Sequence, residues 1–158
     1  MLKYFLKSCV VILLSIFLLD SNCFAGIDFD AVDDSVSCGT ADIFTENSAV
    51  TISAWIYPET GGEGGFGRIV NRSATAFGPA IFLRDDGATL LRRIMFRVDG
   101  TTDLVIASNN NFITYNTWQH VLMTWDGSTT AANVHIYVDN SEVTYATQTN
   151  GVTLNNNS

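Results

Sequence analysis

Beyond residue 26, the apolar residues of the chain alternate with polar ones in short segments, and no segment has a helical period. Such alternation predicts β-strands, because successive side chains of a strand point to opposite faces. In the segment 50–57, four aliphatic residues alternate with two hydroxyl residues and then with Trp55 and Tyr57. The segment 118–125 alternates in the same way. We expect both segments to be inner strands with two buried faces.

Weaker alternating runs predict eight further strands, at 27–29, 35–38, 68–71, 80–84, 93–98, 104–107, 133–138 and 143–146. The turns expected between strands are pairs that favour chain reversal, Asp86-Gly87, Asp99-Gly100, Asp126-Gly127 and Asp139-Asn140. About ten strands joined by short turns are typical of all-β folds. We therefore predict a two-sheet antiparallel β-sandwich or jelly roll, and neither a helical nor an α/β fold.

The segment 59–67 interrupts the strand pattern, because it holds five of the chain's twelve glycines. A phosphate-binding loop would need a lysine after the glycines and a helix behind it, and the sequence has neither. We therefore expect a flexible surface loop at the rim of the sandwich.

The first 25 residues have the layout of a secretory signal peptide. Lys3 and Lys7 precede a mainly apolar run that ends at Leu19, and the small residue Ala25 follows a short polar segment. The apolar run is shorter than the about 20 residues that a membrane span needs, so we expect no stable membrane insertion after cleavage. The prediction is a single domain over 26–158 that is secreted, extracellular or at the cell surface, with the periplasm as a further possibility.

The chain is acidic, with a formal net charge of −8. Removal of the signal peptide takes away two lysines and one aspartate and changes this charge to −9. A nucleic-acid partner is excluded, because such a partner needs a basic face. Cys38 is the only cysteine beyond residue 25, so stability must come from packing and not from an internal disulfide.

Four segments resemble, in the same order, motifs of the concanavalin A-like lectin/glucanase superfamily and of its laminin G-like jelly rolls. The segment 27–36 is similar to an opening motif written Phe-Asp-Gly-x-Asp-Asp-x-Val, with Ala31 in place of the glycine. The segments 50–58, 117–127 and 137–140 resemble a Ser-Ala-Trp-Val-Lys-Pro strand, a Trp-x-His-Val strand that leads to Thr-Tyr-Asp-Gly, and a Tyr-Val-Asp-Gly hairpin. The resemblance implies a concanavalin A-like sandwich.

The resemblance also bears on the C-terminus. Members of the superfamily continue past the hairpin with a Gly-rich strand and a closing strand, and the segment 151–158 resembles neither. We expect the sequence to be a fragment that lacks its closing strands, the alternative being a partner chain that completes the sheets.

Catalysis is the first function to test, because the superfamily includes glycoside hydrolases. Its glucanases carry a Glu-x-Asp-x-Glu strand, whose three carboxylates project onto one face. None of the four glutamates beyond residue 26, Glu46, Glu59, Glu63 and Glu142, has a carboxylate two residues away. His120 and His135 lie in predicted strands, and no Gly-x-Ser-x-Gly motif accompanies them. We therefore predict no catalytic residues and no enzymatic activity.

Related laminin G and pentraxin-like domains bind calcium through loop aspartates, and the resemblance implies that calcium is a candidate cofactor here. The candidate metal ligands are Asp33, Asp34, Asp85, Asp86 and Asp126. Calcium takes about six to eight oxygen ligands from carboxylates, amides and carbonyls. Asp-Asp and Asp-Gly pairs are also ordinary turn residues that bond their own backbone, so both interpretations remain open.

Carbohydrate binding is implied by the same resemblance. A carbohydrate site combines a flat aromatic ring with polar side chains, and the candidate contacts are Tyr115, Asn109, Asn110 and Asn111. We expect the three tryptophans, Trp55, Trp118 and Trp125, to fill the core between the sheets.

The sequence therefore predicts a secreted, non-catalytic recognition domain that binds carbohydrate with calcium assistance. One alternative is a structural or adhesive module of a larger extracellular protein, with another protein as its partner. A second alternative is an accessory part of a carbohydrate-active enzyme. The partner in the first two cases is a glycan or an extracellular protein.

Overall fold

Eleven β-strands and two short 3-10 turns make up the regular structure of the computed structural model, which describes residues 35–38, 48–71, 79–85 and 91–154. The 3-10 turns span Glu63–Gly65 and Ala131–Asn133. The strands are β1 (Val50–Ile56), β2 (Phe66–Asn71), β3 (Ala80–Arg84), β4 (Arg93–Val98), β5 (Gly100–Thr102), β6 (Leu104–Ser108), β7 (Gln119–Trp125), β8 (Val134–Val138), β9 (Ser141–Glu142), β10 (Tyr145–Thr149) and β11 (Val152–Leu154). The predicted all-β, antiparallel sandwich is confirmed.

The first sheet, sheet A, has the strand order β1-β7-β8-β9. Ile52 of β1 lies opposite Met123 of β7, which lies opposite Ile136 of β8. All three are at most 9% exposed, and the other inward apolar positions of β7 and β8 are buried with them, namely Val121, Trp125, Val134 and Val138. The intervening positions form the outer face of sheet A, because side chains alternate along each strand.

The second sheet, sheet B, has the order β10-β6-β4-β3-β2, and β11 and β5 form a small separate sheet. Sheet B contributes its own apolar face to the core, through Ile81, Leu83, Ile94, Phe96, Val98, Leu104 and Ile106. The two apolar faces pack against each other, as the alternation of each strand requires of a sandwich.

The contact of Phe96 with Trp125 links the two sheets. The ring centroids lie 5.6 Å apart at an interplanar angle of 53°, which is a tilted geometry that aromatic pairs favour. Trp125 also donates from Nε1 to the carbonyl oxygen of Ser128 at 2.8 Å. The buried indole therefore keeps its hydrogen bond while it fills the core, as predicted for Trp125.

The turn at 139–140 joins β8 to β9. Asp139 and Asn140 have φ values of 49° and 65°, and two consecutive positive φ values are what a tight type I′ hairpin turn requires. Asn and Asp adopt this conformation more easily than most residues. The predicted Asp139-Asn140 turn is confirmed.

In the described part of the chain, one predicted strand is wrong and another is displaced along the sequence. The segment 35–38 is exposed and forms no strand. The strand predicted at 143–146 begins at Tyr145 and continues to Thr149. Val143 is instead buried in the core, and its N–H donates to the carbonyl oxygen of Ile136 at 3.0 Å. This hydrogen bond continues the register of the β8-β9 hairpin by one residue before β10 begins.

The predicted glycine-rich loop is shorter than expected, because β2 starts at Phe66. Two of its glycines are required by close approach. A Cβ on Gly61 would lie 2.5 Å from Cβ of Asp85, and one on Gly62, where φ is 79°, would lie 2.4 Å from Cα of Gly67. The backbone at these two glycines therefore packs closely against neighbouring residues, so glycine is required by lack of space and not only for backbone flexibility.

The predicted signal peptide 1–25, the domain boundary at 26 and the strand 27–29 lie outside the described residues. Within the described ranges, no helix is long and apolar enough to cross a membrane. Residues 155–158 also lie outside the described residues, and the prediction of missing closing strands depended partly on them.

We predict that Phe96→Ala lowers the free energy of unfolding by about 3–5 kcal/mol, because it leaves a cavity at the contact between the sheets. Urea unfolding followed by tryptophan fluorescence measures this change. Val152→Ala is the control, because Val152 is 50% exposed and its truncation should change stability by less than about 0.5 kcal/mol. Equal effects of the two variants would contradict the assignment of Phe96 to the core.

Candidate functional site

Four rings lie together on the outer face of sheet A and at its edge, and we call them the aromatic strip: Trp55, Tyr57, Trp118 and His120. Trp55, Tyr57 and Trp118 are 66%, 44% and 56% exposed, and they are three of the five exposed large hydrophobic residues in the described ranges. Contiguous exposed apolar surface of this kind marks a binding site more often than scattered single residues do.

The rings of the aromatic strip form two pairs. Trp55 contacts His120 with ring centroids 5.3 Å apart at 50°, and Tyr57 contacts Trp118 at 5.6 Å and 52°. Each tilted pair is a favourable arrangement. The rings therefore support one another, and little side-chain freedom remains to be lost when a ligand binds.

His120 is also held by polar contacts. Its Nε2 lies 2.8 Å from Oγ of Ser53, and its backbone N–H donates to Oδ1 of Asp139 at 2.9 Å. A serine and a histidine in contact are two parts of a hydrolase triad, but Asp139 bonds the backbone of His120 and not the ring. Within the described ranges, the third part of a triad is therefore not formed at His120.

The strip follows from the register of the strands. Trp55 lies directly opposite His120, and opposed residues of an antiparallel pair bring their side chains together. Trp55 has the same parity as Ser53 and Thr51, which are exposed. It therefore points outward with them, while the aliphatic residues of β1 point into the core.

The prediction that all three tryptophans fill the core is wrong for Trp55 and Trp118 and confirmed for Trp125, which is 4% exposed. The sequence contained the signal that would have found the strip. On β1, Trp55 alternates with aliphatic residues and shares its face with Ser53. Trp118 precedes β7 and is an even-numbered residue like His120, whereas the buried Trp125 shares the odd positions with Met123.

The predicted carbohydrate contacts lie in the loop 109–118 that leads into β7, at one end of the sandwich. Asn109, Asn110 and Asn111 are exposed, and each takes part in the folding of the loop. Asn109 donates from Nδ2 to Oγ1 of Thr144 at 2.7 Å, and Oδ1 of Asn110 accepts from Nε of Arg93 at 2.7 Å. The N–H of Asn111 donates to the carbonyl oxygen of Leu91 at 3.0 Å.

Tyr115 belongs to a second cluster at the same end. Its hydroxyl donates to Oδ2 of Asp85, and the guanidinium carbon of Arg92 lies 4.9 Å from the ring centroid. Gly61 packs beside both side chains, since a Cβ there would lie 3.1 Å from the Tyr115 hydroxyl. One face of the ring and its hydroxyl are therefore occupied by neighbours, so Tyr115 offers less to a ligand than the aromatic strip does.

Burial first, then the hydrogen bond to Asp85 and the charge of that carboxylate, together raise the pKa of Tyr115 to about 12. The neutral hydroxyl is favoured because ionisation would place a second negative charge beside Asp85. The arrangement keeps Tyr115 a hydrogen-bond donor to Asp85.

Of the five predicted calcium ligands, Asp33, Asp34 and Asp86 lie outside the described residues. Asp85 is buried beside Tyr115. Asp126 accepts from the N–H of Ser128 at 2.9 Å and from Nδ2 of Asn133 at 2.7 Å, which are the bonds of a turn aspartate. Its carboxylate therefore forms the turn. Hydrogen bonds from the side chain and the backbone N–H of Ser128, with a smaller contribution from Asn133, lower the pKa of Asp126.

Asp85 and Asp126 cannot bind one ion together. Tyr115, the partner of Asp85, precedes β7, whereas Asp126 follows its last residue. A strand of seven residues spans roughly 20 Å, so the two aspartates lie at opposite ends of the sandwich. In the part of the chain that the structure describes, no group of three His, Cys, Asp or Glu side chains is placed to hold a metal. The calcium site therefore stays a prediction that concerns mainly the other three aspartates.

We predict that stability falls as the pH rises from 10 to 12. The pKa of Tyr115 is raised from 10.0 to about 12, so its contribution is fully present below pH 10 and is lost as the pH rises through the folded-state value. Burial raises the pKa of Tyr145 to about 12 as well. Tyr115→Phe should therefore lose less stability over this range than the unchanged chain, with a remainder from Tyr145. Urea unfolding at several pH values tests this, and equal slopes for both chains would contradict it.

A family model described as the concanavalin A-like lectin/glucanases superfamily, with a laminin G designation, matches residues 30–158. No curated protein and no solved structure matches the chain. The matched range covers more than half of the chain and contains all the strands that the structure describes. The sequence motifs, the antiparallel β-sandwich and the family model agree, and the chain belongs to the concanavalin A-like lectin/glucanase superfamily, as a laminin G-like domain.

Proposed function

We propose that the chain is a non-catalytic recognition domain, secreted or at the cell surface, that binds carbohydrate on the aromatic strip. The observation that carries the proposal is the pair of exposed aromatic contacts, Trp55 with His120 and Tyr57 with Trp118, on the outer face and edge of one sheet. Domains of this superfamily bind carbohydrates or proteins, and the strip is a surface suited to that role.

The chemistry of the strip fits a sugar ring. The apolar face of a pyranose can pack against an indole or phenol ring, and the polar tip of Trp or Tyr remains available to a hydroxyl group. Ser53 and His120 add a hydroxyl and an imidazole beside Trp55. A flat aromatic surface with a few polar groups at its margin is typical of sites that orient a small polar ligand.

The distribution of charge favours an uncharged glycan. All arginines in the described ranges lie on sheet B or next to its strands, and they are Arg68, Arg84, Arg92, Arg93 and Arg97, while the described ranges contain no lysine. Sheet A therefore offers no cation from its own strands to pair with sulfate or uronate groups. Asp139 at the end of β8 would repel such groups, since it lies next to His120.

A protein partner is the second candidate ligand, because exposed aromatic rings such as those of the aromatic strip are also typical of protein interfaces. Tyr and Trp are enriched at protein interfaces, where they dominate the binding energy. This candidate corresponds to an adhesive module of a larger extracellular protein. The two candidate functions share the aromatic strip as their binding site and differ only in the ligand.

The absence of catalysis is part of the proposal. Glu142 is the described glutamate that contacts a histidine, as a catalytic carboxylate can. Its Oε1 lies 2.7 Å from Nδ1 of His135 and accepts a hydrogen bond from the Tyr145 hydroxyl at 3.0 Å. These hydrogen bonds lower its pKa, whereas a general acid for glycoside cleavage needs a raised one. Release of reducing sugar from a neutral polysaccharide by the purified chain would overturn this part.

We predict that Trp118→Ala and Trp55→Ala each weaken binding to a neutral oligosaccharide by about tenfold or more, because each removes an exposed ring that stacks on the ligand. The probes are arrays of β-glucan, mannan and chitin fragments, followed by titration calorimetry on the best fragment. Val152→Ala is the matched control for loss of exposed apolar area away from the strip. Thermal unfolding should be nearly unchanged in all three variants.

Two outcomes would contradict the carbohydrate proposal: the absence of binding to any neutral fragment, and equal affinity of the tryptophan variants and the control. A preference for heparin or pectin over neutral fragments would instead contradict the inference that the glycan is uncharged. Binding of an extracellular protein that is lost in Trp118→Ala would favour the second candidate.

Calcium assistance is tested by the same titration in calcium and in a chelator. The strip contains none of the predicted calcium ligands, so we expect equal affinity under the two conditions. A chelator-induced loss of affinity together with a lower melting temperature would instead support a calcium site formed by Asp33, Asp34 or Asp86.

A further inference from the structure

The outer face of sheet A extends beyond the aromatic strip toward the other end of the sandwich. Next to Trp55 and His120 comes a row in which Ser53 lies opposite Leu122, and the row after that contains Thr51 and Thr124. From Tyr57 to Thr51 this face spans six residues of an extended chain, which is about 20 Å.

At that end, the outer face contains a shallow depression of about 450 Å³. Its lining includes the residues Thr51, Thr124, Asp126, Asn133 and His135. Thr51, Thr124 and His135 are consecutive partners across β1, β7 and β8, so their side chains stand side by side on one row. The depression therefore offers hydroxyl, carboxylate, amide and imidazole groups within one small area.

These groups are held in place by contacts outside the row. Nδ2 of Asn133 donates to Oδ2 of Asp126 at 2.7 Å, and Nδ1 of His135 lies 2.7 Å from Oε1 of Glu142. Glu142 thereby orients the imidazole and leaves its Nε2 for another partner. A polar site that is already positioned loses little entropy on binding.

We propose that this depression is a second subsite for the same ligand, and that the ligand is a linear, uncharged polysaccharide running along β1 and β7 from the aromatic strip to Thr51 and Thr124. The inference rests on the carbohydrate-binding function proposed above. A single sugar ring reaches only one of the two ends, because the face between them is about 20 Å long. A chain several sugars long reaches both.

The groups in the depression also restrict the ligand chemically. Threonine hydroxyls and an imidazole exchange hydrogen bonds with sugar hydroxyls, since each hydroxyl both donates and accepts. Asp126 and Glu142 lie at this end and would repel sulfate or uronate groups. The two ends of the face therefore select for the same property, an uncharged chain.

A series of neutral oligosaccharides from disaccharide to octasaccharide, of the type that binds best on the array, tests the proposal on the full chain. Affinity should rise with length and then level off once the oligosaccharide reaches the depression. The double variant Thr51→Val, Thr124→Val removes both hydroxyls and keeps the β-branched shape. It should weaken binding of the longest oligosaccharides by about five- to tenfold and leave the disaccharide unaffected.

Thr102→Val on β5 is the matched control, because it makes the same change at an exposed strand residue outside sheet A. The ring protons of His135, followed by NMR, provide a direct readout: they should shift with long oligosaccharides and not with the disaccharide. Affinity independent of length, or a double variant indistinguishable from the control, would overturn the second subsite.

These results separate the two proposals. If Trp118→Ala abolishes binding at every length while affinity does not depend on length, the carbohydrate function stands and the extended ligand is refuted. If neutral oligosaccharides of all lengths fail to bind, both are refuted.

Discussion

The register of β1 on β7 is the constraint on which the rest of the structure depends. In this register Ile52 lies opposite Met123 in the core, and Trp55 lies opposite His120 outside it. A slip of one residue would exchange the two faces, because strand side chains alternate with a period of two. It would bury Trp55 and expose the apolar residues that pack against sheet B. The core and the aromatic strip are therefore two consequences of one pairing.

The same pairing divides the outer face of sheet A by chemistry. One end carries aromatic rings in contact, and the other carries hydroxyls and an imidazole beside Asp126. The described arginines occur only with the other sheet. Because the described arginines lie with sheet B, the outer face of sheet A suits an uncharged ligand. This agrees with the sequence composition, which by itself excludes a nucleic-acid partner.

Loop residues around Tyr115 stabilise the fold through contacts that the composition of the loops did not reveal. Tyr115 contacts both Asp85 and Arg92, and Gly61 packs beside Tyr115 and Asp85, so this cluster joins segments that are distant in sequence. Nε of Arg92 is buried without a hydrogen-bond partner among the described residues, so its contact with the ring of Tyr115 is a packing and cation–π contact. Residues predicted as ligands for metal or sugar thus stabilise the loops.

The sequence by itself determined the all-β class, most of the strands and the hairpin turn at Asp139-Asn140, because alternation and turn chemistry are local properties. The alternation placed Trp55 on the same face as Thr51 and Ser53, but it did not determine which face of β1 the second sheet covers. The pairing of β1 with β7, whose Trp125 packs against Phe96 of sheet B, shows that the aliphatic face of β1 is the covered one. Tertiary structure likewise decided that Asp85 and Asp126 lie at opposite ends of β7 and that Tyr115 is occupied by Asp85. These outcomes depend on contacts between distant segments, and no local pattern encodes them.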